Sequence, residues 1–169
     1  MASNHYCLAR KALSLRDILT IIEFISASKL GKELSIKHAL ELTILDGVCL
    51  GLDASLSEKE QIVSEITEYI DKTMTQVIGK APTIEFNKIK ITDKQLKVDP
   101  FSIDRRSNNE VFFQFEAKTT LKNLAKVLRA MTLDKAILLE GPPGVGKTSL
   151  IENLARSTGR QLFRVNLSE

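Results

Sequence analysis

The chain has 169 residues, a formal net charge of +3 and a hydrophobic content of 43%, which fits one or two globular domains. Basic and acidic residues are interspersed along the sequence, so the charge pattern does not indicate a nucleic-acid partner. No apolar run approaches the roughly 18 residues of a membrane span, and the N-terminus lacks the apolar core of a signal peptide. We therefore expect neither nucleic-acid binding nor membrane insertion.

The cysteines and histidines do not form a recognisable metal or redox motif. Cys7 and Cys49 lack C-x-x-C spacing and a nearby set of histidines, so we interpret them as buried thiols. For His5 and His38 we identify no acidic or cysteine partner at metal-binding spacing, and we expect packed or solvated side chains.

The first 79 residues are predicted to form a small helical unit. Ser14 and Asp17 have the spacing of a capping box. Four isoleucines at helical spacing follow them: Ile18, Ile21, Ile22 and Ile25. A second helix is expected to begin near Ser35, and a third to open with a capping box at Ser57–Glu60 and to end at Gly79. On pattern alone, such a unit is typical of a helical bundle with no chemistry of its own.

Residues 80–118 are predicted to be a linker with short strands. Thr83–Thr92 and Val111–Phe115 are rich in β-branched and aromatic residues, as strands are. The polar stretch Asp99–Glu110 between them predicts a flexible middle. Within it, Arg105–Arg106 could make a basic contact, although a solvated loop is the interpretation we favour.

From Thr119 onwards the pattern changes to alternating helix and strand. Thr120 is expected to cap a helix, and Ala136–Leu139 predicts a strand. A second helix should end at Gly159, and Gln161–Leu167 should form a second strand. The inward face of the first of these helices is predicted to contain Leu121, Leu124, Ala125, Leu128 and Met131. This order of elements is typical of the opening of a three-layer domain with a parallel sheet.

The most specific motif lies between the predicted strand and the second of these helices. Gly141, Gly146, Lys147 and Thr148 meet the consensus G-x-x-x-x-G-K-[ST] in full. In such a loop, backbone N–H groups and the helix N-terminus bind the phosphates of ATP or GTP. We expect Lys147 to reach the β- and γ-phosphates and the Thr148 hydroxyl to ligate Mg²⁺. The predicted cofactor-binding residues are Gly141, Pro142, Pro143, Gly144, Val145, Gly146, Lys147, Thr148 and Ser149.

The C-terminal part of the chain resembles the midasin family of dynein-like AAA+ ATPases. Within Phe115–Glu169 the resemblance rests on the sequences VLRAM, LLEGPPGVGKTSLI and NLSE. LSLRDILTIIEF and HALELTILDGVCLGL, in residues 8–79, are similar to the helical lid that closes a module of this family. The resemblance implies a mixed α and α/β fold, with a lid-like unit at 1–79 from one module. A linker at 80–118 and the truncated P-loop core of the next module, at 119–169, would follow.

The resemblance also implies a function. The family uses ATP and Mg²⁺ to remove assembly factors from precursors of the large ribosomal subunit, in the nucleolus and nucleoplasm of the nucleus. Arg16 matches the position where AAA+ lids carry an arginine that senses the γ-phosphate (sensor 2), and a surface arginine beside Asp17 is the alternative. Thr119 and Thr120 could lie near the adenine, or could simply cap a helix.

The sequence departs from the family pattern after the loop. No apolar strand ending in an acidic pair follows Thr148, and a sensor asparagine and an arginine finger are also missing from the sequence. Such carboxylates position Mg²⁺ and water during phosphoryl transfer. We therefore expect no catalytic residue in this chain and no turnover of ATP by the chain alone.

Three functional interpretations follow. The chain is an ATP-binding segment of an AAA+ ATPase that acts on ribosomal precursors, or it is a truncated, catalytically inactive fragment that binds nucleotide or a partner. The third, an unrelated small P-loop kinase or GTPase, is disfavoured. Those proteins place most of their fold after the loop, where few residues of this chain remain.

Overall fold

The structure is a computed structural model, and the part of the chain that it describes combines helices with one small antiparallel sheet. The predicted mixture of helical and strand structure is therefore confirmed. No helix among the described residues is long and apolar enough to cross a membrane. The described residues are 13–48, 55–83, 88–107, 115 and 117–166. The predictions for His5, Cys7 and Cys49 lie outside them, as does most of the strand predicted at Val111–Phe115.

The chain divides into two compact units. The helical unit takes residues from 1–84 and 129–135, and the loop unit takes residues from 85–128 and 136–169. The core of the helical unit is a cluster of four buried apolar side chains. Three of them come from an α-helix and one comes from a π-helix. Its members are Ile44, Ile66, Ile70 and Met74.

Four helices are described in the helical unit. They are α1 (Leu15–Ala27), α2 (Lys32–Leu40), a π-helix (Glu41–Val48) and α3 (Leu56–Ile78). The π-helix follows α2 without a break, which the sequence analysis did not predict. Wider π-helical turns are rare and often occur where side chains have a special task.

The predicted capping box of α1 is confirmed. The Ser14 hydroxyl accepts a hydrogen bond from the Asp17 N–H at 3.3 Å, and the Asp17 carboxylate accepts one from the Ser14 N–H at 2.8 Å. The hydrogen bonds from Ser14 hold the pKa of Asp17 below its usual value. The isoleucine pattern correctly predicts the helix but not which of its side chains are buried. Ile18 and Ile22 are 45% and 53% exposed, whereas Phe24 is fully buried.

Two predicted helix starts are wrong. α2 begins at Lys32, with Gly31 as its N-cap, rather than near Ser35. The capping box of α3 is Ser55–Glu58, not Ser57–Glu60. Both serines have a glutamate three residues later, so spacing alone does not choose between them. The earlier start adds further backbone bonds to the helix, and each added bond favours propagation. The predicted end at Gly79 is confirmed, with φ of +79°.

The loop unit contains the sheet. Strands β1 (Ile89–Ile91), β2 (Gln95–Val98) and β3 (Phe101–Asp104) form an antiparallel meander in the order β1-β2-β3. Of the two strands predicted for residues 80–118, the one at Thr83–Thr92 contains β1, whereas β2 and β3 were not predicted. Part of the polar middle is β3 rather than a flexible loop. The reason is an alternation in which Phe101 and Ile103 are buried and the residues after each are exposed.

Two helices complete the described structure, α4 (Lys118–Ala130) and α5 (Lys147–Thr158). The predicted cap at Thr120 is wrong, since this residue lies inside the first turn of α4. The N–H of Leu121 instead donates to the carbonyl of Ala117 at 2.9 Å. The predicted inward face of α4 is buried except for Met131, which follows the helix and is 43% exposed: Leu121, Leu124, Ala125 and Leu128. Gly159 ends α5, as predicted.

The two strands predicted for a parallel sheet do not form. Residues 136–140 and 161–166 are irregular, although their apolar side chains have the composition of strands. A strand exists only through hydrogen bonds to a neighbour, and among the described residues none pairs with either segment. Leu138 and Phe163 consequently remain 80% and 81% exposed.

Candidate phosphate-binding site

The loop that precedes α5 turns through glycines with left-handed backbone angles. φ is +81° at Gly144 and +83° at Gly146, a region in which a side chain is strained. A Cβ built at either position would meet no atom within 4 Å. Glycine is therefore required there by backbone conformation and not by crowding.

The N-terminus of α5 is open to an anion. Gly146 is its N-cap, no side chain caps it, and its first turn contains no acidic residue. Helix starts leave N–H groups without intrahelical partners, and partial positive charge collects there. Residues 141–146, Thr148 and Ser149 are exposed, so a phosphate can approach these N–H groups directly.

Lys147 folds over the loop. Its ammonium group donates hydrogen bonds to the carbonyl oxygens of Gly141 at 2.6 Å and Pro142 at 2.8 Å. Both acceptors are neutral, and an anionic phosphate oxygen is a stronger acceptor for an ammonium group. The lysine is therefore already placed at the loop and is held by contacts that a phosphate can replace.

The helix behind the loop is firmly packed, which fixes the direction of its first turn. Leu150 and Leu154 are 7% and 5% exposed, and the Leu150 N–H donates to the Gly146 carbonyl at 2.9 Å. Thr148, on the same first turn, has an exposed side chain whose hydroxyl can ligate a cation. Among the described residues, no group of three or more His, Cys, Asp or Glu is placed to hold a metal. A Mg²⁺ ion here would depend on Thr148 and on the phosphates.

A cavity of about 410 Å³ lies beside Lys147 and Thr148. Glu152 and Arg164 also line it and form an ion pair of 3.5 Å. The remaining lining is apolar and comes from α5 and the two irregular segments: Ile137, Leu139, Ile151, Leu162, Phe163 and Val165. Apolar walls suit packed side chains better than phosphates, so we place the phosphates at the loop.

Arg16, the predicted sensor, is an exposed residue in the first turn of α1 and belongs to the helical unit. The loop belongs to the other unit, and the sensor role stays a prediction. Thr119 and Thr120 lie in the first turn of α4, and their proposed proximity to adenine also stays a prediction.

A buried charge cluster in the helical unit was missed by the sequence analysis. Arg129, near the end of α4, is 3% exposed. Its guanidinium group donates to the Glu41 carboxylate and to Asp46 at 2.5 Å, and its Nη1 lies 3.3 Å from His38 Nδ1. His38 is fully buried, so the expectation of a packed side chain is confirmed, but it does have an acidic neighbour in Glu41, one helical turn later. The available signal was VLRAM, in which a charged residue follows a run of apolar positions.

The protonation states in this cluster follow from burial and charge. Burial lowers the pKa of His38, and its hydrogen bond to Glu41 offsets only part of that effect. In the neutral imidazole, Nδ1 either donates to the Glu41 carboxylate at 3.4 Å or accepts from Arg129 at 3.3 Å, according to which ring nitrogen carries the proton. Burial would raise the pKa of Glu41, but the hydrogen bond with His38 and the charge of Arg129 outweigh it, so the pKa lies below its usual value. Glu41 is therefore ionised and paired at neutral pH.

The chain is similar to one protein-family model and to several known proteins. Residues 137–169 match the family model "ATPase family associated with various cellular activities (AAA)". The chain is 34% identical to midasin of Dictyostelium discoideum, over 95% of this chain and 3% of that protein. It is 29% identical to midasin of Giardia intestinalis, over 93% of this chain and 4% of that protein. A Lon protease of Rhizobium meliloti is 31% identical, over 89% of this chain and 16% of that protein. No solved structure matches the chain significantly.

Proposed function

Because this chain is a midasin-like segment of the AAA ATPase family, we propose that residues 141–149 bind the phosphates of Mg-ATP in an ATPase module. One observation carries the proposal: the uncapped N-terminus of α5 lies beside a lysine held over exposed loop amides. The family match begins at residue 137 and includes the whole loop. Family membership implies nucleotide binding, and the loop supplies the groups for it.

In the proposed site, Lys147 exchanges its bonds to the Gly141 and Pro142 carbonyls for bonds to phosphate oxygens. The exchange is favourable because charge-assisted bonds are stronger than bonds to neutral carbonyls. The N–H groups at the start of α5 bind the phosphates from the other side. Thr148 offers its hydroxyl to Mg²⁺, which when bound neutralises charge on the β- and γ-phosphates.

We also propose that the helical unit acts as a lid for another nucleotide site and that Arg16 senses its γ-phosphate. Arg16 is exposed, so its guanidinium group is accessible to a ligand. The resemblance to midasin supports a wider role in ATP-driven remodelling of large-ribosomal-subunit precursors in the nucleus, with assembly factors as partners. The chain spans 3% and 4% of the two midasins it matches, and the activity of a whole protein is proposed here only by that resemblance.

Nucleotide binding without turnover is the second candidate function. Two carboxylates flank the loop closely in sequence, and neither is suited to activate water. Glu140 is exposed, and Glu152 is paired with Arg164. Efficient phosphoryl transfer requires a carboxylate or amide that orients the attacking water, so we expect this chain to bind Mg-ATP and leave it intact.

Isothermal titration calorimetry of the 169-residue chain with Mg-ATP tests the proposal. We expect a dissociation constant above about 1 µM, since the contacts that we assign to the nucleotide come from residues 141–149 alone. Lys147→Ala should weaken binding by at least about tenfold, because it removes the cation at the phosphates. Lys122→Ala, which removes an exposed lysine of α4, is the matched control and should bind as the wild type does. Equal affinities for Lys147→Ala and wild type would refute the proposed site.

A further inference from the structure

The C-terminal end of α5 is completed by residues that lie far away in sequence. The last four carbonyls of a helix have no intrahelical partner. In α5, two of them accept locally: the Gly159 N–H donates to the Arg156 carbonyl at 3.2 Å, and the Arg160 N–H donates to the Ala155 carbonyl at 2.9 Å. The other two carbonyls belong to Ser157 and Thr158, which are 3% and 0% exposed and so depend on protein donors.

The segment after β3 supplies those donors. Arg105 Nε donates to the Ser157 carbonyl at 2.8 Å, and the Arg106 backbone N–H donates to the Thr158 carbonyl at 2.7 Å. Arg105 also reaches the end of the sheet, where its Nη1 donates to the carbonyl of Thr92, the residue after β1, at 2.7 Å. One guanidinium group therefore joins the sheet to the end of the phosphate-loop helix. The solvated loop that we favoured for Arg105–Arg106 is thus wrong for Arg105, which is half-buried.

Gly159 also lies very close to the segment after β3. A Cβ at this position would lie 2.2 Å from Ser107 Oγ and 2.7 Å from the Ser107 backbone N. No real side chain fits at those distances, so the contact requires glycine. The backbone after β3 is thus seated directly against the end of α5.

We propose that Arg105 is a positioning residue for the phosphate loop, an inference that rests on the proposed function. α5 has 12 residues, so it is about 18 Å long and behaves as a short rigid rod. Arg105 fixes one end of this rod, and the other end presents Lys147 and Thr148 to the nucleotide. A cation at the C-terminal end also complements the helix dipole. If the C-terminal end of α5 is released, the helix can tilt, and the N–H groups of its first turn no longer point at the phosphates.

The test measures the dissociation constant of Mg-ATP for the 169-residue chain at a temperature where circular dichroism shows each variant folded. Arg105→Ala should raise the dissociation constant about tenfold, equivalent to about 1.4 kcal/mol. Arg106→Ala is the matched control: it removes the neighbouring arginine, whose side chain is exposed, and keeps the backbone N–H that binds Thr158. It should leave the dissociation constant within about twofold of wild type.

Binding measured on folded protein separates positioning from simple stabilisation. If Arg105→Ala lowers the melting temperature but leaves the dissociation constant unchanged, the proposal is overturned. Should Arg105→Ala not fold, Arg105→Lys takes its place. It keeps the charge, but one ammonium group cannot reproduce the fork between two carbonyls, and we expect roughly threefold weaker binding. Unchanged binding by a folded Arg105→Lys would overturn the proposal in that case.

Failure of the proposed function gives a different result. If wild type itself does not bind Mg-ATP, or binds no better than Lys147→Ala, the nucleotide site falls and the positioning claim falls with it. The link between Arg105 and α5 is then decided by hydrogen exchange without nucleotide. Arg105→Ala should speed exchange of the α5 amides about tenfold relative to Arg106→Ala, and equal rates would reject the link as well.

Discussion

Replacing Gly159 by alanine should destabilise the protein more than the same change at Gly79. The two glycines are closely matched, since each ends a helix in the left-handed conformation, with φ of +67° and +79°. They differ in surroundings. A Cβ at 79 meets nothing within 4 Å, whereas a Cβ at 159 would overlap Ser107. The difference in stability between the two variants therefore measures the contact between the segment after β3 and the end of α5.

The expected magnitudes follow from that difference. Left-handed strain costs roughly 1–2 kcal/mol for alanine at either position. At 159 the clash includes the Ser107 backbone N at 2.7 Å, which cannot turn away as a side chain does. The segment must then move, and the hydrogen bonds to Ser157 and Thr158 are lost at about 0.5–1.5 kcal/mol each. Gly159→Ala should thus cost about 1–3 kcal/mol more than Gly79→Ala, or roughly 2–12 °C in melting temperature.

Thermal unfolding followed by circular dichroism measures the difference. Gly144→Ala supplies a second control within the loop unit, because its φ is +81° and the space beside it is also open. Ser107→Gly should recover only part of the loss caused by Gly159→Ala, since the backbone N remains in place. If all three alanine variants melt within about 1 °C of one another, the segment after β3 does not pack against α5 as described.

Three further predictions can be checked with the same protein. Arg129→Ala should cost about 3–5 kcal/mol in a urea titration, because it leaves buried carboxylates unpaired, whereas Arg164→Ala breaks an exposed pair and should cost under about 1 kcal/mol. Stability should fall as pH drops below 6.5 and again below 4.5, because the folded pKa values of His38 and Glu41 lie below those ordinary values and the unfolded chain binds protons first. His38→Gln should remove the first of these falls in a series of melts at different pH. Finally, phosphate release from ATP should not exceed that of Lys147→Ala, and faster release would show that a carboxylate of this chain activates water.

Local signals account for what the sequence predicted well. The Ser14 capping box, the stops at Gly79 and Gly159, and the helix that begins at Lys147 each depend on residues within about one helical turn. The phosphate loop is local in the same sense, since its glycines and lysine lie within eight residues of one another. Such features can be predicted from the local sequence without knowing the structure of the rest of the chain.

Features that depend on distant partners could not be predicted in the same way. Residues 136–140 and 161–166 have strand-like composition. Composition shows that a segment can form a strand, but it does not show whether a neighbouring strand is present to pair with it. The meander shows the converse, because β3 lies in a stretch that appears polar until Phe101 and Ile103 are placed against a core. Pairing is a property of two segments, and a single window of sequence describes only one.

Charged residues give the sharpest case of this limit. By residue type alone, Arg105 and Arg129 resemble any solvated arginine, and solvation is the ordinary outcome for that type. In the structure each is held by acceptors far away along the chain: Arg105 by the Ser157 carbonyl, and Arg129 by Glu41 and Asp46. Burying a guanidinium group is costly unless its donors are satisfied. An arginine buried with several acceptors is therefore more specific to its surroundings than an apolar residue in the same place.

This reasoning predicts the effect of Arg105→Leu, which keeps the bulk of the side-chain stem. It should destabilise the chain about as much as Arg105→Ala in thermal melts, because both variants lose the hydrogen-bond donors of the guanidinium group. Full recovery of stability by leucine would show that packing of the stem, and not the bond to Ser157, holds the end of α5.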